Sequence, residues 1–380
     1  MILFSYASHD LTRYLNIYMY SEKKFFIFIF SASWFWGWFS WSPMSSTLLR
    51  TAEKKILSCK FKTPYRVLLH GLGGGVAIWC LNLDALAATR PVYAIDLLGF
   101  GRSSRPTFSS NAEVAETQLV NSVEEWRQEM GLEKIILLGH SLGGFLATSY
   151  AIKHPDNVKH LILADPWGFP EKPKDPPKWN APLWARAIAS MVQPLNPLWA
   201  VRFAGPFGPW LIQKVRPDLS RKFAPILEDE DTSVVSSYIF QCNAQSPTGE
   251  SAFHTMMDGF GWAKNPMIRR VDDLKESVPI TLLYGSRSWV DKSPGEKIRE
   301  NRSKDAYVDI QMVQGAGHHV YADKYELFNK YVIEACQKVD ERYGFETETD
   351  QNAGCFIVGV LLFKIGNGSS VRRRNELLCN

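Results

Sequence analysis

Six short apolar segments follow one another along the chain from Arg66 onward, separated by stretches that favour helices. Val, Ile, Leu and Tyr dominate these segments, which is typical of strands buried on both faces of a parallel sheet. Strand and helix in repetition predict an α/β fold with a doubly wound, mostly parallel sheet. The predicted strands are 66–70, 91–96, 134–139, 158–165, 278–285 and 307–313, and the predicted helices are 112–130, 142–153 and 324–339.

One connection between predicted strands is far longer than the others. Over a hundred residues separate Asp165 from Val278, although a few residues suffice to join a strand to the next element. This segment is rich in Pro and Trp. We therefore expect an inserted helical lid at 171–270, which divides the core into a first part at 54–170 and a second part at 271–342.

Composition limits what the chain can bind. It has 380 residues, 46% of them hydrophobic and 22% charged, which is enough for a large folded domain. A formal net charge of +4, with no Lys/Arg run interleaved with aromatic residues, argues against nucleic acid as a partner. The six cysteines are scattered without a C-x-x-C pair, which predicts reduced thiols, a cytosol-facing protein and no metal site.

The N-terminal segment, 1–53, contains an uncharged stretch crowded with Phe and Trp at 25–41. A membrane span needs about 20 apolar residues, and a secretory signal has its apolar part nearer the start. Because Trp prefers the head-group boundary of a lipid layer, we expect an interfacial anchor. A membrane span and a non-native terminus are the alternatives. The anchor residues would be Trp34, Trp36, Trp38 and Trp41.

The tail at 343–380 contains a nine-residue apolar stretch at 355–363, followed by three arginines at 372–374. Such a stretch is too short to span a membrane. We expect the tail to be disordered, and a second membrane contact is the alternative.

The pattern G-x-S-x-G occurs at 139–143, between a predicted buried strand and a predicted helix. In this position the serine backbone makes a strained turn, and glycine neighbours allow the turn to pack. The hydroxyl of Ser141 would then project above the sheet as a nucleophile. A plain glycine-rich turn without chemistry is the competing interpretation.

A serine hydroxyl needs a base that takes its proton. His318 follows a Gly-Ala-Gly bend after the last predicted strand, at the sheet edge where reacting groups collect in open α/β sheets. His319 is the competitor, whereas His140 and His254 are expected to be structural or surface residues.

The imidazole in turn needs a carboxylate that holds its tautomer. Asp291 lies in the loop after the strand at 278–285, on the same edge of the sheet, and is the predicted acid. Asp165 also ends a strand and is the second candidate, although it precedes Pro166 and could simply shape the entry to the inserted segment.

A glycine-rich turn at 68–75 follows the first predicted strand and exposes backbone N–H groups. The amides of Leu72 and Leu142 could together form an oxyanion hole. A phosphate-binding loop is the rival interpretation, but the turn lacks the signatures of a Walker or dinucleotide site.

His318 and Asp323 form an H-x-x-x-x-D pattern, a spacing associated with acyltransferases. Asp323 also stands where the last helix should begin, with Glu326 three residues on, which resembles a capping box. We expect the helix cap, and both roles could hold.

Four stretches resemble the α/β-hydrolase superfamily, and within it one animal subfamily with two branches. One branch is the lyso-N-acylphosphatidylethanolamine lipase; the other is its lipid-droplet paralogue, a coactivator of adipose triglyceride lipase with an assigned lysophosphatidic acid acyltransferase activity. The resemblance covers about 54–341. The stretches lie at 92–106, 139–170, 261–267 and 315–323.

The resemblance implies a serine lipase with Ser141, Asp291 and His318 as its triad, and His318 with Asp323 as a proposed acyltransferase pair. The droplet paralogue typically has Asn where this chain has Ser141, so hydrolysis of (lyso-)N-acylphosphatidylethanolamine and related glycerophospholipids is favoured. A 1-acylglycerol-3-phosphate O-acyltransferase and a non-catalytic droplet coactivator are the alternatives.

The same resemblance implies no cofactor, with acyl-CoA as co-substrate in the transferase alternative alone. It implies phospholipid or lysophospholipid substrates, a lipid-droplet or membrane surface, and a triglyceride lipase or droplet coat protein as partners. The expected location is the cytosol, peripheral on lipid droplets and endoplasmic reticulum, with the mitochondrion as an alternative. Family members usually carry about two more strands before 66–70, so an open sheet edge is expected here.

Overall fold

A computed structural model describes residues 66–88, 90–174, 196, 198–227, 233–259, 261–343, 356–363 and 371–377 of the chain. The chain divides into two compact units, 1–43 and 44–380, and all described residues belong to the second. The predicted anchor at 25–41 lies outside the described residues.

The predicted α/β fold and its six parallel strands are confirmed. The six strands are β1 (Arg66–Leu69), β2 (Val92–Asp96), β3 (Ile135–His140), β4 (Val158–Ala164), β5 (Ile280–Gly285) and β6 (Val308–Val313). The sheet order is β6-β5-β4-β3-β1-β2, continued by two further strands. Because β2 and β3 lie on opposite sides of β1, the order of the strands reverses at β1, and ligand sites in open sheets form at such a point.

Two strands from the tail extend the sheet beyond β2. β7 (Phe356–Phe363) pairs parallel with β2, and β8 (Val371–Leu377) pairs antiparallel with β7. The expectation of a disordered tail is therefore wrong for these two segments. We expected an open sheet edge, but the edge at β2 is paired, because the β-branched run of the tail supplies a strand.

Helices cover both faces of the sheet, and each face has its own apolar core. Val67 and Leu69 point to one cluster of buried side chains and Leu68 to the other, as the alternation of a strand requires. The core helices are α1 (Cys80–Ala87), α2 (Ala112–Glu129), α3 (Leu142–Lys153), α9 (Ser293–Asn301), α10 (Val320–Asp323) and α11 (Tyr325–Tyr343). The predicted helices at 112–130, 142–153 and 324–339 are confirmed as α2, α3 and α11.

The segment between β4 and β5 is an insertion with helices of its own. They are α4 (Trp199–Phe203), α5 (Gly208–Val215), α6 (Pro217–Phe223), α7 (Ser233–Asn243) and α8 (Thr248–Met256). Several large apolar side chains on α4, α5 and the turn between them are exposed, among them Phe203, Phe207 and Trp210. Within the described ranges, no helix is both long and apolar enough to cross a membrane.

Candidate active site

Ser141 occupies the sharp turn that joins β3 to α3. Its φ of 53° and ψ of −117° lie in a region that residues other than glycine rarely adopt. The two glycines of the motif are required by close contacts: a Cβ on Gly139 would meet the Gly143 carbonyl oxygen at 2.2 Å, and one on Gly143 would meet Leu69 O at 2.2 Å. The interpretation of 139–143 as a plain turn does not explain such strain, which is typical of functional sites.

His318 bridges Ser141 to a carboxylate. Its Nε2 lies 3.0 Å from Ser141 Oγ, and its Nδ1 lies 2.6 Å from an oxygen of Asp165. With the carboxylate accepting from Nδ1–H, Nε2 keeps a lone pair that faces the serine hydroxyl. The three side chains come from the ends of β3, β4 and the loop after β6, and their geometry is that of a nucleophile, a base and an orienting acid.

Asp165 is completely buried at the end of β4, with a φ of 48°. Gly285 N donates to its Oδ1 at 3.1 Å, and the hydroxyl of Ser288 donates to its Oδ2, the oxygen that contacts His318. A buried carboxylate is costly unless it is hydrogen-bonded, and here both oxygens have donors. These contacts fix the carboxylate toward the imidazole.

The structure does not bring Asp291 to His318, so its prediction as the orienting acid is wrong. Asp291 is exposed and accepts from the backbone N (3.0 Å) and the hydroxyl (2.6 Å) of Ser293, at the start of α9. A carboxylate that accepts hydrogen bonds from the residue two positions further on has a local role in the turn before the helix. The loop after β5 contributes Ser288 to the site, three residues before Asp291.

The turn after β1 lies against Ser141. A Cβ on Gly71 would be 3.0 Å from the Cβ of Ser141, and Leu72 follows in the same turn. Leu142 is the first residue of α3, where backbone N–H groups lack partners within the helix. Both predicted oxyanion residues therefore lie in segments next to the nucleophile, and their role as donors remains a prediction.

His70 keeps this turn in place. Its Nε2 accepts from Leu97 N at 3.1 Å, so its Nδ1 carries the proton and donates to Gly71 O at 2.8 Å. Complete burial lowers the pKa of His70 below its ordinary value, against a smaller opposing effect of Asp96. A neutral imidazole with a fixed tautomer thus connects the ends of β1 and β2.

His140, the second residue of the motif, is a buried neighbour of the predicted base. Its Nε2 donates to the backbone carbonyl of His318 at 2.9 Å. Burial lowers the pKa of His140 well below its ordinary value, and the nearby rings of His318 and His319 lower it further. The structural role expected for His140 therefore bears directly on the site.

Asp323 does not face the imidazole of His318. Its Oδ2 accepts from Gly317 N at 2.8 Å, and its Oδ1 lies 3.1 Å from the ammonium of Lys222 on α6. Asp323 is the last residue of α10, two residues before α11 begins. Its hydrogen bond to Gly317 holds the loop before His318, so Asp323 does not cap the last helix as expected. His319, the rival base, contacts Lys222 through Nδ1 at 3.3 Å.

Two features of the site had only weak signals in the sequence. Asp165 was visible as an acidic residue at a strand end, directly before a proline, but the direction in which its side chain turns was needed to prefer it over Asp291. Ser288 had no signal beyond its place in the same loop as Asp291. Among the described residues, no group of three or more His, Cys, Asp or Glu side chains is arranged to hold a metal ion.

A serine on a strained strand-to-helix turn, with a histidine and an aspartate supplied by neighbouring strand ends, defines the class of α/β hydrolases. The family model described as "alpha/beta hydrolase fold" matches residues 67–325, and the chain belongs to this family.

Relatives place the chain more narrowly. It is 53% identical over 282 residues to the (lyso)-N-acylphosphatidylethanolamine lipase of Mus musculus, covering 74% of this chain and 81% of that one. It is 49% identical over 296 residues to the 1-acylglycerol-3-phosphate O-acyltransferase ABHD5 of Homo sapiens, covering 75% and 82%. The chain therefore belongs to the subfamily that contains both proteins.

Solved structures agree on the fold. A bacterial membrane phospholipase A has a TM-score of 0.54 at 20% identity, covering 77% of this chain and 92% of its own. Naproxen esterase from Bacillus subtilis has a TM-score of 0.52 at 16% identity, covering 77% and 98%. Both likenesses concern the fold.

Proposed function

We propose that this protein is a serine lipase that hydrolyses acyl esters of glycerophospholipids, with (lyso-)N-acylphosphatidylethanolamine as its substrate class. The observation that carries the proposal is the 3.0 Å contact between His318 Nε2 and Ser141 Oγ, continued by Asp165. The substrate class follows from the name of the 53% identical relative.

In this mechanism His318 accepts the proton of Ser141 as the hydroxyl oxygen attacks the ester carbonyl. Asp165 stabilises the imidazolium that forms, because its buried carboxylate carries the complementary charge. The amides of Leu72 and Leu142 would hold the oxyanion. His318 then protonates the leaving alcohol, and water, deprotonated by the same imidazole, releases the fatty acid.

A transferase is the second candidate, because ABHD5 relatives carry that name. The same acyl-enzyme would be resolved by a lysophospholipid hydroxyl, with acyl-CoA as the acyl donor. Asp323 points to Gly317 and Lys222 in this structure, which argues against a direct part for it in acceptor activation.

The non-catalytic coactivator is less well supported. A scaffold has no need of a hydrogen-bonded Asp-His-Ser arrangement with a buried acid and a strained nucleophile. A peripheral place on lipid droplets or endoplasmic reticulum, through Trp34, Trp36, Trp38 and Trp41, is part of the proposal, as is contact with a triglyceride lipase or droplet coat protein.

The test compares the full chain with its Ser141→Ala variant. We expect the wild type to react with a fluorophosphonate probe at Ser141 and to release fatty acid from N-acylphosphatidylethanolamine vesicles. The variant should lose the adduct and more than about 10⁴-fold of the turnover, because the nucleophile is gone, while its circular dichroism stays unchanged. Undiminished turnover in the variant, or no adduct in the wild type, would refute the hydrolase mechanism.

A further inference from the structure

The loop that carries His318 is tied to the inserted segment by a cluster of four side chains, here called the clasp: Lys222, Asp218, His319 and Asp323. Lys222 Nζ lies 3.1 Å from Asp323 Oδ1, 3.1 Å from Asp218 Oδ2 and 3.3 Å from His319 Nδ1. Lys222 belongs to α6 of the insertion, whereas His319 directly precedes α10 of the core and Asp323 is the last residue of α10.

The ammonium of Lys222 is fully engaged by this cluster. An ammonium has three protons to donate, and three acceptors surround it. His319 must keep a lone pair on Nδ1 to accept one of them, and burial together with Lys222 lowers the pKa of His319 to about 3. The side chains of Lys222 and Asp323 are 16% and 15% exposed, so solvent screens their attraction little. The Lys222 ammonium therefore has no proton left to donate to a phosphate group.

Asp323 also contacts the backbone next to His318, the proposed base. Its second oxygen accepts from Gly317 N at 2.8 Å, and Gly317 is the residue before His318. Its backbone N, with that of Ala322, donates to His319 O at 2.8 and 2.9 Å. One carboxylate thus holds the peptide on the N-terminal side of His318 and the lysine of the insertion at once.

We infer that Asp323 is a positioning residue, and that the Lys222–Asp323 pair lets the inserted segment hold His318 at its distance from Ser141. The inference rests on the proposed serine hydrolase function. It assigns the H-x-x-x-x-D pattern a role in orienting the base for every acyl acceptor, water or lysophospholipid alike. Displacement of α6 would release the loop and lower the rate of acyl-enzyme formation.

Three variants separate the contacts. Lys222→Met keeps the aliphatic stem and removes the ammonium. Asp323→Asn keeps an acceptor for Gly317 and weakens the ion pair. Arg221→Met is the matched control, because Arg221 is the exposed neighbour of Lys222 on the same helix and lies outside the clasp.

We expect Lys222→Met and Asp323→Asn each to lower kcat on the phospholipid and the fluorophosphonate labelling rate about tenfold, because a small misplacement of the base is costly. The double variant should lose no more than either single one, since both remove one interaction. Arg221→Met should match the wild type. Hydrolysis and transfer to a lysophospholipid should fall in the same proportion.

Hydrogen exchange of 314–323, followed by mass spectrometry, tests the clasp apart from catalysis. Faster exchange of 314–323 in the Lys222 and Asp323 variants, and not in the Arg221 control, supports the clasp. Absence of hydrolysis in the wild type would refute the proposed function, but it would leave this exchange result as support for the clasp. Wild-type exchange in both variants, or wild-type kcat and labelling with lowered thermal stability, would overturn the inference. Loss of transfer with intact hydrolysis in Asp323→Asn would also overturn it.

Discussion

Replacing Asp165 by Asn tests which carboxylate orients the catalytic imidazole. Asn is nearly isosteric and tolerates a positive φ better than most residues, so the backbone at 48° can be kept. Its amide can donate to His318 Nδ1, which would leave the proton on Nε2. In that tautomer the imidazole cannot accept the proton of Ser141.

The expected loss of kcat in Asp165→Asn follows from the contact between Asp165 and His318. Asp165 lies 2.6 Å from Nδ1 and is completely buried. With charge centres about 4 Å apart and an effective dielectric constant of about 20, the imidazolium and carboxylate attract by about 4 kcal/mol. At about 1.4 kcal/mol for each factor of ten, kcat should fall about 10³-fold, and the wrong tautomer can add to this.

The assay is kcat and KM on phospholipid vesicles, with the fluorophosphonate labelling rate as an independent measure. Asp291→Asn is the matched control, because Asp291 is exposed and bonded only locally, to Ser293. This variant should change kcat by less than about twofold, and weaker local hydrogen bonds should lower stability by at most about 1 kcal/mol. A 10³-fold loss in Asp291→Asn with near-normal rates in Asp165→Asn would refute the reasoning.

A rescue sharpens this prediction. Ser288 donates to the same Asp165 oxygen that accepts from His318, so the Ser288→Asp substitution places a second carboxylate close to His318 Nδ1. In the Asp165→Asn background, Ser288→Asp should restore at least about tenfold of the lost kcat, because it returns a carboxylate to Nδ1. No recovery in a folded double variant would mean that the loop after β5 cannot bring a carboxylate to the imidazole.

Two further predictions concern histidines. His140→Phe should lower kcat about tenfold with KM unchanged, because it removes the donor to the His318 carbonyl. His140→Gln keeps an N–H and should retain most of the rate. Equal losses of kcat in the two variants would contradict the role of that hydrogen bond. His160 is buried against Thr281, and burial lowers its pKa from 6.5 to about 3. The unfolded chain therefore binds a proton at this histidine at a higher pH than the folded chain does. As the pH drops from 7 to 5, His160 should lower the free energy of unfolding by about 2 kcal/mol. Urea unfolding should show a smaller drop in His160→Gln than in the wild type, and an equal drop would contradict a lowered pKa for His160.

The fold was predictable because its signals are local. Runs of Val, Ile and Leu bounded by Gly and Pro gave the six parallel strands, and a strand-turn-helix context gave Ser141 its place. The β7–β8 pair was missed because a nine-residue apolar run in a polar tail shows no partner, and pairing of 356–363 with β2 is a contact between distant segments.

The choice of the acid depended on information that no local pattern contains. Asp165 and Asp291 both follow strands, β4 and β5, and these strands are neighbours in the sheet. The difference is one of direction: Asp165 turns into the site with a positive φ, and Asp291 turns back onto Ser293. The position of Asp165 directly before Pro166 indicated a structural role. In the structure, the strained backbone of Asp165, with its positive φ, is part of the active site.

The insertion is connected to both groups that control the imidazole. It begins directly after Asp165, and through Lys222 it reaches the loop of His318. A displacement of the insertion can therefore move the loop of His318 relative to Ser141, which is fixed by β3 and α3, and relative to Asp165, which is held by Gly285 and Ser288 of the core. Lipid that occupies or shifts this segment should accordingly change kcat, since the distances within the triad determine how readily the serine proton is transferred. A segment that simply covered the substrate would change KM instead.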